Sequence, residues 1–168
     1  MQDPPPFQSR MLQSACTWVA MQPRCSIRQP RLESCSALAD SFKGSKLAES
    51  ISGGGGDDVI RSLGGADVLT GGSGNDSFVF FKNDVIGTAG PLGTDRITDF
   101  SAGDRIDIHD FLKSRTWSSI DEVVRLTDGA SGSTLSVKTS SGFVDVVTLD
   151  GLHGQSAGDL LSAGMLLT

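Results

Sequence analysis

The residues best suited to chemistry are aspartates that recur every nine residues within a glycine-dense stretch, 53–79. Cut into nines, the stretch reads GGGGDDVIR, SLGGADVLT and GGSGNDSFV, with an aspartate in sixth place and a large apolar residue in eighth place. These anchors are Asp58 with Ile60, Asp67 with Leu69, and Asp76 with Phe78. Carboxylates and the carbonyls of glycine-rich turns are oxygen ligands of the kind that Ca²⁺ prefers. The stretch is therefore predicted to bind calcium.

The nine-residue period also indicates how the backbone must run to bring these aspartates together. A tandem nonapeptide repeat of this composition is typical of a parallel β-roll, in which each repeat supplies a six-residue loop and a three-residue strand. Two repeats, 18 residues, return the chain to the same edge, so loops 53–58 and 71–76 are predicted to stack about 4.8 Å apart. A calcium ion between these loops would take carboxylate oxygens from Asp58 and Asp76.

The middle loop, 62–67, falls on the opposite edge of such a roll. Its stacking partner is expected about 18 residues after Asp67, and Asp84 lies 17 residues after it. We therefore predict a second, weaker calcium site near Asp67 and Asp84. The inward row of three apolar side chains is too small to offset the entropy of ordering the repeats. Calcium and the following sheet are thus expected to decide whether the roll folds.

The nine-residue register can be extended backwards through CSALADSFK and GSKLAESIS, residues 35–52. Asp40 precedes Phe42 by two residues, and Glu49 precedes Ile51 by two, but most of the loop glycines are missing. These segments are interpreted either as degenerate capping repeats, because terminal repeats of solenoids are commonly atypical, or as a short helix over 37–47. The predicted organisation is a disordered segment 1–34, a β-roll 35–81 and a C-terminal region 82–168.

The residues after the repeats read mostly as strands. The segments predicted in chain order are an apolar strand 78–81, an irregular loop 82–94, strands around Ile97 and 106–108 flanking a turn at 101–104, a helical turn near 119–123, strands 123–127, 134–137 and 143–149, and a weak amphipathic helix over 156–167. Glycine- and serine-rich loops between β-branched runs favour an antiparallel meander. The predicted fold is therefore all-β, a short parallel roll continued into an antiparallel β-sandwich.

Composition and charge bound the partners and the compartment. The chain has 17 Asp against 3 Glu, and outside residues 1–34 it carries 10 basic residues against 18 acidic ones, which makes nucleic acid an unfavourable partner. Its three cysteines, Cys16, Cys25 and Cys35, are odd in number and predict no disulfide framework. No stretch has the length of a membrane-spanning helix, and the N-terminus lacks a signal-peptide core.

Three segments together carry a family likeness: GGSGNDSFVF, TDRITDFSAGDRIDI and VVTLDGLHGQSAGDLL. Over about residues 53–161 the chain resembles the C-terminal domain of serralysin-type (peptidase M10) secreted metalloproteases, shared with other RTX exoproteins such as lipases, haemolysins and alginate epimerases. The resemblance implies a calcium-binding roll followed by a β-sandwich. It also implies export by a type I secretion apparatus through an uncleaved C-terminal signal, and folding outside the cell.

The resemblance also implies a ligand set. In the family, loop residues coordinate calcium through their carbonyls, the sixth-place aspartate coordinates through its side chain, and further acidic ligands follow the last repeat. Carried onto this sequence, the implied ligands are Gly53, Gly54, Gly55, Gly56, Asp58, Gly64, Gly65, Asp67, Gly71, Gly72, Ser73, Gly74, Asp76, Asp84, Asp95 and Asp104. The motif at Asp104 is one residue tighter than the family pattern. The C-terminal residues SAGMLLT lack the acidic and hydrophobic ending of many members.

No catalytic constellation is visible in the sequence. Its two histidines, His109 and His153, form no HExxH motif, and the chain has neither a GxSxG elbow nor a GxxxxGK[ST] phosphate loop. The sequence therefore predicts a secreted, extracellular calcium-dependent folding and secretion module rather than an enzyme. Two alternatives stay open: the C-terminal fragment of a secreted metalloprotease, lipase or epimerase whose catalytic domain lies elsewhere, and a surface adhesion protein.

Overall fold

The computed structural model describes residues 33–34, 37–87, 90–113 and 115–168. The strands are β1 (Glu33–Ser34), β2 (Ser41–Lys43), β3 (Ser50–Gly55), β4 (Val59–Arg61), β5 (Val68–Ser73), β6 (Ser77–Val79), β7 (Ile86–Gly87), β8 (Gly90–Pro91), β9 (Asp95–Ile97), β10 (Arg105–Asp107), β11 (Val124–Asp128), β12 (Gly132–Thr139), β13 (Gly142–Asp150) and β14 (Leu166–Leu167). The helices are α1 (Lys82–Val85), α2 (His109–Leu112) and α3 (Ala157–Ser162), with a 3₁₀ turn at Ile120–Glu122.

Successive short strands alternate between two sheets, as a β-roll requires. One sheet has the order β14-β10-β6-β4-β2 and is parallel throughout. The other has the order β1-β3-β5-β9-β13-β12-β11, parallel from β1 to β13 and antiparallel from there to β11. Residues 18 apart are register partners, for example Ile60 with Phe78 and Ile51 with Leu69. The predicted all-β fold, a parallel roll joined to an antiparallel meander, is confirmed.

The roll is longer at its C-terminal end than the sequence analysis predicts. Leu69 pairs with Ile97, and Phe78 pairs with Ile106, so the register resumes at a spacing of 28 residues. The segments GPLGTDRIT (90–98) and DFSAGDRID (99–107) are thus two further half-coils, displaced by a ten-residue insertion, 80–89. The predicted strands around Ile97 and Ile106 are present, and they lie in opposite sheets as successive turns of the roll.

The described part of the insertion, 80–87, has regular structure where the sequence predicts an irregular loop. It contains α1, and β7 forms a small hairpin with β8. Arg61 holds it against the roll: Nη2 lies 2.7 Å and Nε 2.8 Å from Asp84 Oδ2, and the guanidinium lies 4.1 Å from the centre of the Phe81 ring. Val85 is buried beneath. The long arm of Arg61 reaches the insertion because it stands at the end of β4.

The N-terminal half-coils follow the roll and not the helical alternative. β2 pairs with β4 and β3 pairs with β5, and Phe42 and Ile51 are as buried as the apolar residues of the later repeats. The short helix over 37–47 is therefore wrong. Residues 1–32 and the three cysteines lie outside the described residues. At 33–34, where the sequence predicts disorder, the backbone forms β1 and pairs with β3.

One apolar core joins the roll to the meander. The eighth-place side chains of the half-coils are all at most 1% exposed: Phe42, Ile51, Ile60, Leu69, Phe78, Ile97 and Ile106. They continue into equally buried side chains of the meander strands, including Leu135, Val137, Val147 and Leu149. The meander thus covers the C-terminal end of the roll, where β13 pairs with β9, and supplies apolar surface that the repeats alone lack.

The C-terminal segment supplies an edge strand of the parallel sheet. α3 has the predicted amphipathic character, and Ser156 with Asp159 forms a capping box at its start. The helix ends at Ser162, earlier than predicted, because Gly164 adopts a left-handed φ of 72° beyond it. Leu166 then continues in β14 against β10. Among the described residues, no helix is long and apolar enough to span a bilayer.

Candidate metal centre

Sixth-place aspartates form a hydrogen-bonded column along the first edge of the roll. The N–H of Asp40 donates to Asp58 Oδ1 at 2.7 Å, and the N–H of Asp58 donates to Asp76 Oδ1 at 2.9 Å. The N–H of Asp76 in turn donates to Asp104 Oδ1 at 2.9 Å. One oxygen of each carboxylate is thereby fixed by the turn below it. The structure confirms that loops 53–58 and 71–76 are stacked, as the repeat period predicts.

The second oxygens of three aspartates have no protein partner. Asp58, Asp67 and Asp76 are each 1% exposed, and in the described part of the chain their Oδ2 atoms are buried without a hydrogen bond. None of the salt bridges among the described residues involves them. A buried carboxylate oxygen without a donor or counter-charge is costly. These three atoms therefore fit a bound cation.

The glycine at the first place of a loop leaves room beside such an oxygen. A Cβ added to Gly53 would lie 2.2 Å from Asp58 Oδ2 and 2.6 Å from the carbonyl oxygen of Gly71 in the next loop. A Cβ added to Gly71 would likewise lie 2.2 Å from Asp76 Oδ2. A carboxylate oxygen and a backbone carbonyl thus converge on a cradle that any larger residue would fill. This donor set suits Ca²⁺, a hard cation that takes oxygen ligands.

Backbone carbonyls must supply most of the ligands. In the described residues, no group of three or more Asp, Glu, His or Cys side chains is placed to hold a metal ion. The predicted ligands Gly53, Gly54, Gly55, Gly56, Gly71, Gly72, Ser73 and Gly74 all lie in the two stacked first-edge loops. A calcium ion between these loops would meet the carboxylates of Asp58 and Asp76 in a cleft rich in backbone carbonyls, and the full ligand set stays a prediction.

The second edge is built by a different partner from the predicted one. The N–H of Glu49 donates to Asp67 Oδ1 at 2.7 Å, and the N–H of Asp67 donates to Asp95 Oδ1 at 2.9 Å. The loop that stacks on 62–67 is therefore 90–95, where a Cβ on Gly93 would lie 2.2 Å from the Gly65 carbonyl oxygen. Pairing of Asp67 with Asp84 is wrong: Asp84 lies beside this loop, its carbonyl oxygen 3.2 Å from a Cβ added to Gly64, but its carboxylate is bound by Arg61.

A repeat signal for this partner was present in the sequence. Gly90, Gly93, Asp95 and Ile97 stand at the first, fourth, sixth and eighth places of a nonapeptide. The ten-residue insertion interrupts the register, so the stacking partner of Asp67 lies 28 residues away and not at the 18 that two repeats predict. The same offset explains why Asp104 stacks above Asp76, in sixth place of the last half-coil.

Among the other predicted ligands, Asp104 already has a protein hydrogen-bond donor on each carboxylate oxygen. Asp104 Oδ2 accepts the N–H of Ser101 at 2.8 Å, so both of its oxygens have donors. Gly64 and Gly65 lie in the second-edge loop. His109 begins α2, its N–H donating to Asp107 Oδ1, and His153 is exposed in the loop after β13.

Burial shifts the acidity of these carboxyl groups. Burial, followed by the charge of Asp95, raises the pKa of Asp67 from 3.8 to about 7. Burial is also the main cause that raises the pKa of Asp58, Asp76 and Asp95. In the calcium-free protein each ionised carboxylate thus opposes folding, and a bound cation would remove that opposition.

We expect calcium-free folding to depend on pH with a defined sign. A carboxyl whose pKa is raised in the folded state stabilises that state below 3.8, and the stabilisation is lost as pH rises toward about 7. In calcium-depleted buffer, far-UV circular dichroism should therefore show more strand near the acid end of this window than above it. With calcium present, protons compete with the ion, so its affinity should fall on acidification. Calcium-free strand content that grows with pH would contradict this.

Leu63 is strained in the second-edge loop. Its φ is 75°, whereas the equivalent second-place residues are Gly54 and Gly72, with φ of 101° and 103°. A non-glycine residue in the left-handed region costs about 1 to 2 kcal/mol, and glycine adds about 0.5 to 1 kcal/mol of unfolded-state entropy. Leu63→Gly should therefore stabilise the calcium-bound protein by roughly 0.5 to 1 kcal/mol in urea unfolding. Leu47→Gly, the same change at an exposed residue with ordinary φ, should lower stability; equal effects would contradict the strain.

Comparison with known families identifies the stacked segment. Residues 44–78 match the family model of the RTX calcium-binding nonapeptide repeat (4 copies). Residues 44–78 are RTX calcium-binding repeats. The match takes in 44–52, one of the two segments predicted as degenerate, and it joins the unpartnered carboxylates to a repeat type defined by calcium binding. The two half-coils after the insertion, 90–107, lie beyond the match.

Solved structures similar to this chain include two subunits of a mannuronan C5-epimerase from Azotobacter vinelandii. The AlgE6R3 subunit is 26% identical, with 79% of this chain and 77% of that chain covered and a TM-score of 0.30. The AlgE6R2 subunit is 25% identical, with 83% and 92% covered and a TM-score of 0.35. No curated protein sequence matches the chain. The narrower resemblance to serralysin-type proteases stays a prediction.

Proposed function

We propose that this RTX chain is a calcium-triggered folding module of an exported protein, unfolded at low calcium and ordered outside the cell. One observation carries the proposal: buried, unpartnered Oδ2 atoms of Asp58, Asp67 and Asp76 lie between stacked loops of the roll. An ion that binds only the folded state stabilises it by mass action. Because the ligands come from loops 18 or 28 residues apart, they exist as a set only after the roll has formed.

An extracellular location is proposed because calcium modules that work outside the cell share a typical range of calcium affinity. Extracellular calcium modules commonly bind with Kd of about 10⁻⁴ to 10⁻³ M, which leaves them empty in the cytosol and filled outside. A chain that stays unfolded until export can pass through a narrow secretion channel. Export by a type I apparatus through the C-terminal residues rests on the resemblance alone. In the folded protein Leu166 is buried and β14 pairs with β10, so an export signal there would be accessible only before folding.

Calcium titration tests the folding part of the proposal. Far-UV circular dichroism of the full chain should change from coil to strand as calcium reaches millimolar levels, and chelator should reverse the change. Magnesium at equal concentration should be far less effective, because it demands octahedral geometry with short bonds. A spectrum indifferent to calcium would overturn the proposal.

Export and catalysis need separate tests. Co-expression of the full chain with a type I exporter should release it to the medium, and deletion of residues 156–168 should retain it. Equal release of both would remove the secretion role. The module carries no catalytic step of its own in this proposal. If the protein is the tail of a secreted enzyme, the reading frame upstream should encode a catalytic motif such as HExxH.

A further inference from the structure

The second-edge loop differs from the first-edge loops at its first place. Ser62 stands where loops 53–58 and 71–76 have Gly53 and Gly71. Ser62 is 1% exposed, and its Oγ donates to Asp95 Oδ2 at 2.6 Å. At the first edge this place is the cradle in which even a Cβ would come within 2.2 Å of a carboxylate oxygen. The serine therefore puts a side chain with a hydroxyl where the first-edge loops have a glycine and no side chain.

The hydroxyl changes how many carboxylate oxygens on the second edge are without a protein hydrogen-bond donor. On the first edge, Asp76 accepts the N–H of Asp58 through Oδ1 and keeps Oδ2 without a partner. On the second edge, Asp95 accepts the N–H of Asp67 through Oδ1 in the same way, but its Oδ2 is held by Ser62. The first-edge pair, Asp58 with Asp76, thus has two unpartnered oxygens. The second-edge pair, Asp67 with Asp95, has one.

We propose that the Ser62 hydroxyl weakens the second-edge calcium site by competing with the ion for the Asp95 Oδ2 oxygen, which ranks this site below the one between loops 53–58 and 71–76. A calcium ion can share that oxygen with the hydroxyl, because each carboxylate oxygen has two lone pairs, but it must then compete with a charge-assisted hydrogen bond, and such bonds are about twice as strong as neutral ones. The inference rests on the proposed function and adds the residue that sets the order in which the two edges fill.

Removal of the hydroxyl tests the inference. Equilibrium dialysis of the full chain should resolve a tighter and a weaker class of bound calcium, the weaker one disappearing in Asp67→Asn. In Ser62→Ala the weaker class should tighten by about tenfold, as expected when one hydrogen bond to a charged group no longer competes with the ion for the Asp95 oxygen. Ser62→Gly should act in the same direction and provides a second variant if the first fails to fold.

Controls separate this inference from the proposed function. Ser52→Ala, at a half-buried serine of β3 outside the loops, should leave both classes unchanged. If the wild type folds with calcium but the affinity of the weaker class is unchanged in Ser62→Ala, the hydroxyl has no effect on the site. If that affinity falls, the hydroxyl is itself a ligand. Either result contradicts this inference and leaves the proposed function intact. If the wild type neither binds calcium nor folds with it, the proposed function itself fails.

Discussion

Replacement of Asp58 and Asp76 together by asparagine should remove most of the calcium-induced gain of strand. Asparagine keeps an Oδ1 that can accept the N–H donors now bound by both aspartates. It loses the charge of the two unpartnered Oδ2 atoms. Interactions with charged groups contribute about 1.5 to 3 kcal/mol each, so the calcium midpoint should rise by about a hundredfold or more. The measurement is a calcium titration followed by far-UV circular dichroism.

A histidine variant controls for nonspecific damage. His109→Ala changes a titratable residue at the start of α2, outside the stacked loops, and should keep the wild-type midpoint. A double asparagine variant that folds at the wild-type calcium concentration would show that these carboxylates are not the calcium ligands. A variant that is fully folded without calcium would show that their charge opposes folding but that calcium is not its natural partner.

Gly72→Ala should be the most damaging single methyl addition in the roll. Gly72 has φ of 103°, and a Cβ there would lie 2.1 Å from the carbonyl oxygen of Gly54 on the neighbouring strand. The obstacle is backbone, so β3 and β5 must separate where they pair. Strain and overpacking each cost about 1 to 3 kcal/mol, so a total loss of roughly 3 kcal/mol or more is expected in urea unfolding at saturating calcium.

The matched control isolates the contact from the dihedral angle. Gly142 also has a positive φ, 124°, but a Cβ added there would meet nothing within 4 Å. Gly142→Ala should therefore lose only the conformational cost, about 1 to 2 kcal/mol. Equal losses at the two glycines would mean that close stacking of the loops does not limit the stability of the roll.

The local part of the fold was predictable from the sequence. Three tandem nonapeptides with Asp and a large apolar residue at fixed places determine strand spacing, edge and register, because the pattern and the structure share one period. Asp40 with Phe42 and Glu49 with Ile51 kept enough of this pattern to extend the register backwards despite the missing glycines. The meander followed from β-branched runs separated by glycine and serine.

The rest depended on contacts between residues far apart in the chain. Asp84 has almost the right spacing from Asp67, but the ion pair with Arg61 and the insertion that carries it cannot be inferred from spacing. Asp95, which only the family resemblance implies as a ligand, belongs to a half-coil whose register is interrupted by ten residues. Ser62 stands where loops 53–58 and 71–76 have glycine, and its 2.6 Å bond to Asp95, 33 residues away, cannot be inferred from that substitution.

The most direct test of the calcium-centred account is to locate the ion by anomalous diffraction from crystals grown with calcium. We expect an anomalous peak between loops 53–58 and 71–76, about 2.3 to 2.6 Å from Asp58 Oδ2 and from an oxygen of Asp76. A weaker peak should lie between loops 62–67 and 90–95. An ordered roll with no peak at the first position, and with Asp58 Oδ2 bonded to a protein donor instead, would contradict the account.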